Sequence, residues 1–124
     1  MAPTPLTDGS TTRQPRIAYS AGVAWYPVAK LLEVRTGDVI AVIAGSVEIA
    51  LGRDGERLFA VQRACLHQGG DLANGIVARG HLVCPHHGWR FSTATGCLDT
   101  APDVCLVRYP VRVTGDQIEI EVGA

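Results

Sequence analysis

Val47-Glu48-Ile49-Ala50-Leu51-Gly52-Arg53-Asp54-Gly55-Glu56-Arg57-Leu58-Phe59-Ala60-Val61 decides the fold class. Val47, Ile49 and Leu51 alternate with Glu48 and Ala50, the period of two that half-buries a strand. Asp54-Gly55 follows, and an Asp-Gly pair between two such runs signals a hairpin. Leu58-Phe59-Ala60-Val61 is then the returning strand. Upstream, Val39-Ile40-Ala41-Val42-Ile43 is β-branched and apolar. The whole apolar run from Val39 to Leu51 therefore reads as buried strands joined near Gly45. Containing Glu48 and falling short of the roughly 20 residues of a membrane span, it does not read as one.

The same grammar continues outward. His81-Leu82-Val83 reads as a strand entering Cys84, and Thr95-Gly96 as a turn after Arg90-Phe91-Ser92. Residues 107–113 and 117–122 read as a last strand pair turned by Thr114-Gly115-Asp116. No stretch carries a helical stripe of about ten residues. The predicted class is all-β, a small antiparallel sandwich or barrel. Residues 1–16, rich in Pro, Thr and Ser without hydrophobic period, read as a flexible tail, and 17–124 as one domain.

Totals narrow the function. The chain has 124 residues and a formal charge of −1, so no basic excess recruits nucleic acid or an anionic membrane. The N-terminus lacks the basic and apolar regions of a secretory signal, and a cytoplasmic location is expected. In that compartment the four cysteines are expected as thiols or metal ligands rather than a disulfide framework.

Two pairs of ligand-type residues stand out: Cys65-Leu66-His67 and Cys84-Pro85-His86-His87, separated by the sixteen residues 68–83. Two thiolates and two imidazoles suit a two-iron, two-sulfide centre. Neutral imidazoles on one iron stabilise the added electron and raise the potential above that of an all-thiolate cluster. Gly69, Gly70 and Gly88 crowd these pairs, where missing Cβ atoms let backbone N–H groups approach sulfur. A Cys₂His₂ zinc site is the competing reading. It does not require Pro85 or Gly88-Trp89-Arg90-Phe91.

With that context the chain resembles the Rieske [2Fe–2S] family. The pattern Cys-X-His, a spacer, then Cys-Pro-X-His-Gly-Trp-Arg-Phe stands at 65–67 and 84–91. It continues through Ser92-Thr93-Ala94-Thr95-Gly96 and Ala101-Pro102 to Tyr109-Pro110-Val111. The resemblance covers about residues 23–122. It implies a base domain of antiparallel strands with an inserted cluster-binding β subdomain, whose loops fall at about 65–75 and 84–90. It implies that Cys65 and Cys84 hold the inner iron of one [2Fe–2S] cluster, and His67 and His87 the outer.

High-potential members place an additional cysteine in each loop, joined as a disulfide, and Ser and Tyr hydroxyls near the cluster. The matching positions here are Gly70 and His86, then Trp89 and Phe91. A low potential is expected. Terminal oxygenases of the family add a catalytic iron domain, and only Gly123 and Ala124 follow Val122. The resemblance thus implies a ferredoxin component with no catalytic residues. It carries electrons from an NAD(P)H-dependent flavoprotein reductase to a terminal oxygenase by transient docking and binds no small-molecule substrate. The alternative is a small subunit of a larger oxidoreductase such as NAD(P)H nitrite reductase.

Among remaining residues, Cys97 and Cys105 read as thiols near strand ends, with extra ligands or a redox pair as the rival. His86 is placed at the cluster rim, His81 on a solvent-facing strand, and Gln68 and Asp71 in solvated loops. Trp89 reads as a core aromatic or as a cover over the cluster.

Overall fold

The computed structural model describes residues 24–66, 70–86 and 88–123. The expected tail and the start of the domain at 17 lie outside the described residues. Among the described residues, eleven strands form three antiparallel sheets. The first has the order β1 (Ala24–Lys30), β11 (Gln117–Val122), β10 (Val111–Thr114), and the second β2 (Val39–Ala44), β3 (Val47–Asp54), β4 (Arg57–Gln62). The third runs in sequence order: β5 (Ile76–Ala78), β6 (His81–Val83), β7 (Arg90–Ser92), β8 (Cys97–Leu98) and β9 (Ala101–Cys105). Two single-turn 3-10 helices, Leu31–Glu33 and Leu72–Asn74, complete the described elements. Among the described residues, no helix is long and apolar enough to cross a membrane.

The hairpin at 47–61 forms as read, but its turn is placed by glycine. Asp54 pairs Arg57, leaving Gly55-Glu56 as the two-residue loop, with Gly55 at φ 63°. Glycine first in the loop is the II′ arrangement, whose twist matches the strands it joins. Gly45-Ser46 between β2 and β3 and Gly115-Asp116 between β10 and β11 repeat it.

The second sheet is a wall between two cores. Ile49, Leu51 and Ala60 face the base core with Ile118, Ile120 and Val122. Ala50, Phe59 and Val61 face the other core with Leu72, Leu82, Cys84 and Phe91. The alternation in β3 was read as half-buried; both of its faces are covered, which is why small Ala50 sits between Ile49 and Leu51. Gly52 has the same cause, since a Cβ there would lie 2.3 Å from the Phe59 ring. Thr93 is buried and donates from Oγ1 to Asp54 Oδ2 at 2.7 Å, tying the third sheet to the turn of the second.

Two expectations change. The strand expected over 107–113 is shorter. Residues 107–109 instead bond to β4, through Gln62 N–H to Val107 O and Tyr109 N–H to Ala60 O, and β10 begins at Val111. Cys97 and Cys105, expected as thiols, form a disulfide. The turn at Gly96 (φ 79°) and the pairing of β8 with β9 set the two residues opposite each other, with Cα atoms 3.9 Å apart. Proximity in the ladder, which the sequence spacing did not reveal, overrides the expectation.

Candidate metal centre

The two ligand loops are built alike. In the first, Cys65 N–H donates to Gly70 O at 2.8 Å, and Ala64 bridges Asp71 just outside it. In the second, Cys84 N–H donates to Trp89 O at 2.8 Å, and Val83 pairs Arg90 just outside it. Each cysteine thus opens a loop and closes it with its own amide, on the carbonyl five residues ahead. Gly88, at φ 74°, turns the second loop and donates to Cys84 O. A Cβ on Gly88 would meet nothing within 4 Å, so its role is conformational rather than one of crowding.

Both loops converge on Gly70. A Cβ at this residue would lie 2.7 Å from Cys84 Sγ, 3.0 Å from Cys65 Cβ and 3.3 Å from His86 Cβ. Gly70 and His86 therefore face each other across the loops. Neither carries sulfur, so no disulfide joins the loops there. Cys65 and Cys84 are 6% and 0% exposed and stand outside the one disulfide among the described residues. Two buried thiols at one cradle that admits no Cβ are a donor set suited to an iron held by two thiolates. The expected partners His67 and His87, with Gln68 and Gly69, lie outside the described residues.

The surroundings are apolar on the inner side. Phe91 is fully buried, and half-buried Trp89 packs against the same core, its ring centroid 6.4 Å from that of Phe91. Trp89 is thus a core aromatic beside the loop. The outer side is open: Leu66, Pro85 and His86 are exposed. His81 is half-buried, its Nδ1 3.1 Å from Arg79 O.

Asp71, read as a solvated loop residue, locks the neck of the first loop. It accepts Arg63 Nε at 3.1 Å and Nη2 at 3.0 Å, and caps the following turn by accepting Ala73 N–H at 3.0 Å. Sequence reading missed Arg63. Its signal was its place two residues before Cys65, with an acid one residue after Gly70. The Arg63 hydrogen bond holds the Asp71 carboxyl below the usual carboxylate range, partial burial opposes, and the Ala73 amide adds to the lowering.

A carboxyl depressed on folding contributes stability that is full above its unfolded pKa of about 3.9 and lost as pH falls through the folded value. Asp71→Asn is expected to unfold at lower denaturant than wild type at neutral pH. The gap should close as pH drops below about 4. Denaturant midpoints from pH 7 to 3 check this; a gap of constant size would mean that the charge does not carry the effect.

Comparison with known proteins agrees with this geometry. The chain is 35% identical over 100 residues to the anthranilate 1,2-dioxygenase ferredoxin subunit of Burkholderia cepacia, covering 80% of this chain and 93% of that one. It superposes with TM-score 0.69 and 26% identity on a chain of the complex of reduced oxygenase and oxidized ferredoxin in carbazole 1,9a-dioxygenase, covering 77% of this chain and 91% of that one. A putative NADH-dependent nitrite reductase small subunit from Mycobacterium tuberculosis shares the fold, with TM-score 0.74, 23% identity and coverage of 82% and 97%. The family model for the Rieske [2Fe-2S] domain matches residues 24–110. With both loops, both buried cysteines and this match in place, the chain belongs to the Rieske family and carries one [2Fe–2S] cluster.

Proposed function

We propose that the chain is a one-electron carrier of the cytoplasm, reduced by an NAD(P)H-dependent flavoprotein reductase and oxidised by a terminal oxygenase. One observation carries the reading: two like-built loops bring buried Cys65 and Cys84 to Gly70 while Leu66, Pro85 and His86 stay exposed. In this assignment Cys65 and Cys84 ligate the inner iron, and His67 and His87 the outer one. When bound, the cluster supplies a single reversible electron. The chain's own part is to keep water from the thiolates with Leu72, Leu82 and Phe91, and to fix loop spacing through the Cys65 and Cys84 amides. Its exposed rim is where a partner comes within electron-transfer distance. The relative of similar length is a dioxygenase ferredoxin subunit. The matched chain from the oxygenase complex is likewise covered almost throughout, as a single domain would be.

The test is anaerobic mixing of the dithionite-reduced protein with an oxidised ring-hydroxylating oxygenase. Reoxidation by one electron per chain is expected. No transfer, together with purification as a fixed complex with a large subunit, would favour the small-subunit reading instead.

The potential is a separate prediction. Gly70 facing His86 leaves the loops without a disulfide, and buried Phe91 has no hydroxyl to donate to sulfur. The extra charge of the reduced cluster is then less stabilised. A midpoint near the low end of the Rieske range, roughly −150 mV rather than roughly +300 mV, is expected. A redox titration settling well above zero would refute it.

A further inference from the structure

We propose that Cys97–Cys105 is a thiol–disulfide exchange site for a dithiol reductant, and that its redox state sets the rigidity of the second ligand loop. Cys105 is exposed and Cys97 half-buried, so an incoming thiolate reaches Cys105 Sγ first. A bond forms from the reductant sulfur to Cys105 Sγ as the S–S bond breaks, and Cys97 leaves as a thiolate that takes up a proton. The second thiol of the reductant then displaces Cys105, which is protonated in turn. Two electrons and two protons pass to the protein, and the reductant ends as its own disulfide.

Both states have a place in the fold. Cys97 Sγ lies 3.6 Å from Thr95 O, and Cys105 Sγ 3.5 Å from Pro102 O. After reduction each thiol has a backbone carbonyl beside it to accept its hydrogen bond, so neither is left as an orphaned polar group. In a reducing compartment, moreover, a surface disulfide is a redox-responsive element rather than a permanent staple.

The coupling runs through Asp99. Strand β8 is two residues long and pairs β7 through Phe91 and Leu98. Beyond that pair, Asp99 donates its N–H to Arg90 O at 3.0 Å and accepts Arg90 Nε at 2.8 Å. Arg90 in turn pairs Val83 at the neck of the second loop, one residue from Cys84. Leu98 and Leu106 anchor the hairpin's ends in the core, but strand β9 is exposed over Pro102–Cys105, so along its length little burial substitutes for the disulfide. Opening it frees the hairpin to pull Asp99 off Arg90. The effect on the cluster rests on the function proposed above; the exchange chemistry does not.

The holoprotein is equilibrated across ratios of reduced to oxidised dithiothreitol. It is then alkylated for peptide mass spectrometry and, in parallel, followed by amide hydrogen exchange. Cys97 and Cys105 should become labelled together in one two-electron transition while Cys65 and Cys84 stay protected. The Cys84 and Asp99 amides should exchange several-fold faster in the dithiol form. Cys97→Ser with Cys105→Ser should show the faster rates at every ratio. Asp99→Asn should keep the labelling transition while the Cys84 amide no longer distinguishes the two states. A bond that resists excess dithiothreitol, labelling of both residues in the oxidised protein, or a Cys84 amide indifferent to reduction would each overturn the proposal. Missing iron and sulfide colour would instead refute the proposed function and leave the labelling result standing.

Discussion

Cys84→Ser is expected to give a folded protein without iron, sulfide or colour. Cys84 is fully buried at the meeting point of the two loops, and its amide closes the second of them on Trp89 O. The substitution keeps the shape and that backbone bond, so the strands around it retain their packing. What goes is the thiolate. A serine hydroxyl is protonated at neutral pH and is a hard ligand, so under the proposed assignment the inner iron would lose one of its two charged sulfur donors. Leaving the hydroxyl buried without a partner costs about 1–3 kcal/mol, a loss of stability short of unfolding a typical domain. Cys97→Ser is the matched control: it removes a sulfur from the disulfide and should leave iron and sulfide content intact. Metal and sulfide analysis with the visible spectrum decides the matter. Two irons and an unchanged spectrum in Cys84→Ser would remove Cys84 from the ligand set, and zinc in the wild-type protein would remove the cluster.

What could be read from the sequence followed from how local each signal is. The hairpin at 47–61 was legible because alternation and a turn glycine both act within a few residues. That β3 is buried on both faces was not, because Ala50 is small enough to read as a surface residue until Phe91 and Leu82 are brought to it across the chain. The short strands β5, β8 and β9, of three, two and five residues, carry too few positions for a period to show. The Cys and His pairs were legible as candidate ligands, since such spacing has few other uses, and the two cysteines are found together at Gly70. The disulfide and the Arg63–Asp71 pair were not, since each depends on register: Cys97 opposite Cys105, and Ala64 opposite Asp71. Register is set by turns such as Gly96, whose consequences appear only once the strands are laid side by side.

Gly70→Ala is expected to disrupt the centre nearly as severely as loss of a ligand, although it removes no donor atom. The added Cβ would lie within 3.3 Å of three atoms, Cys84 Sγ, Cys65 Cβ and His86 Cβ, contributed by both loops. None is the far end of a flexible side chain. Each sits one or two bonds from a backbone pinned by the Cys65 and Cys84 amide bonds, so relief requires the loops to part. Overpacking of this kind costs about 1–3 kcal/mol in an apolar core. Under the proposed assignment it also spreads the two sulfurs that share one iron, so cluster content should fall more steeply than stability. Gly88→Ala separates this steric cause from a conformational one. Its Cβ has open space, but φ is 74°, a left-handed geometry that costs an L-residue about 1–2 kcal/mol. Gly88→Ala should therefore lose some stability and keep most of its iron, whereas Gly70→Ala, whose φ lies outside the left-handed region, should lose iron first. Iron per chain and denaturant midpoints on the same preparations test the order. Iron retained in Gly70→Ala and lost in Gly88→Ala would mean that the second loop's turn, rather than the closure of both loops on Gly70, holds the centre together.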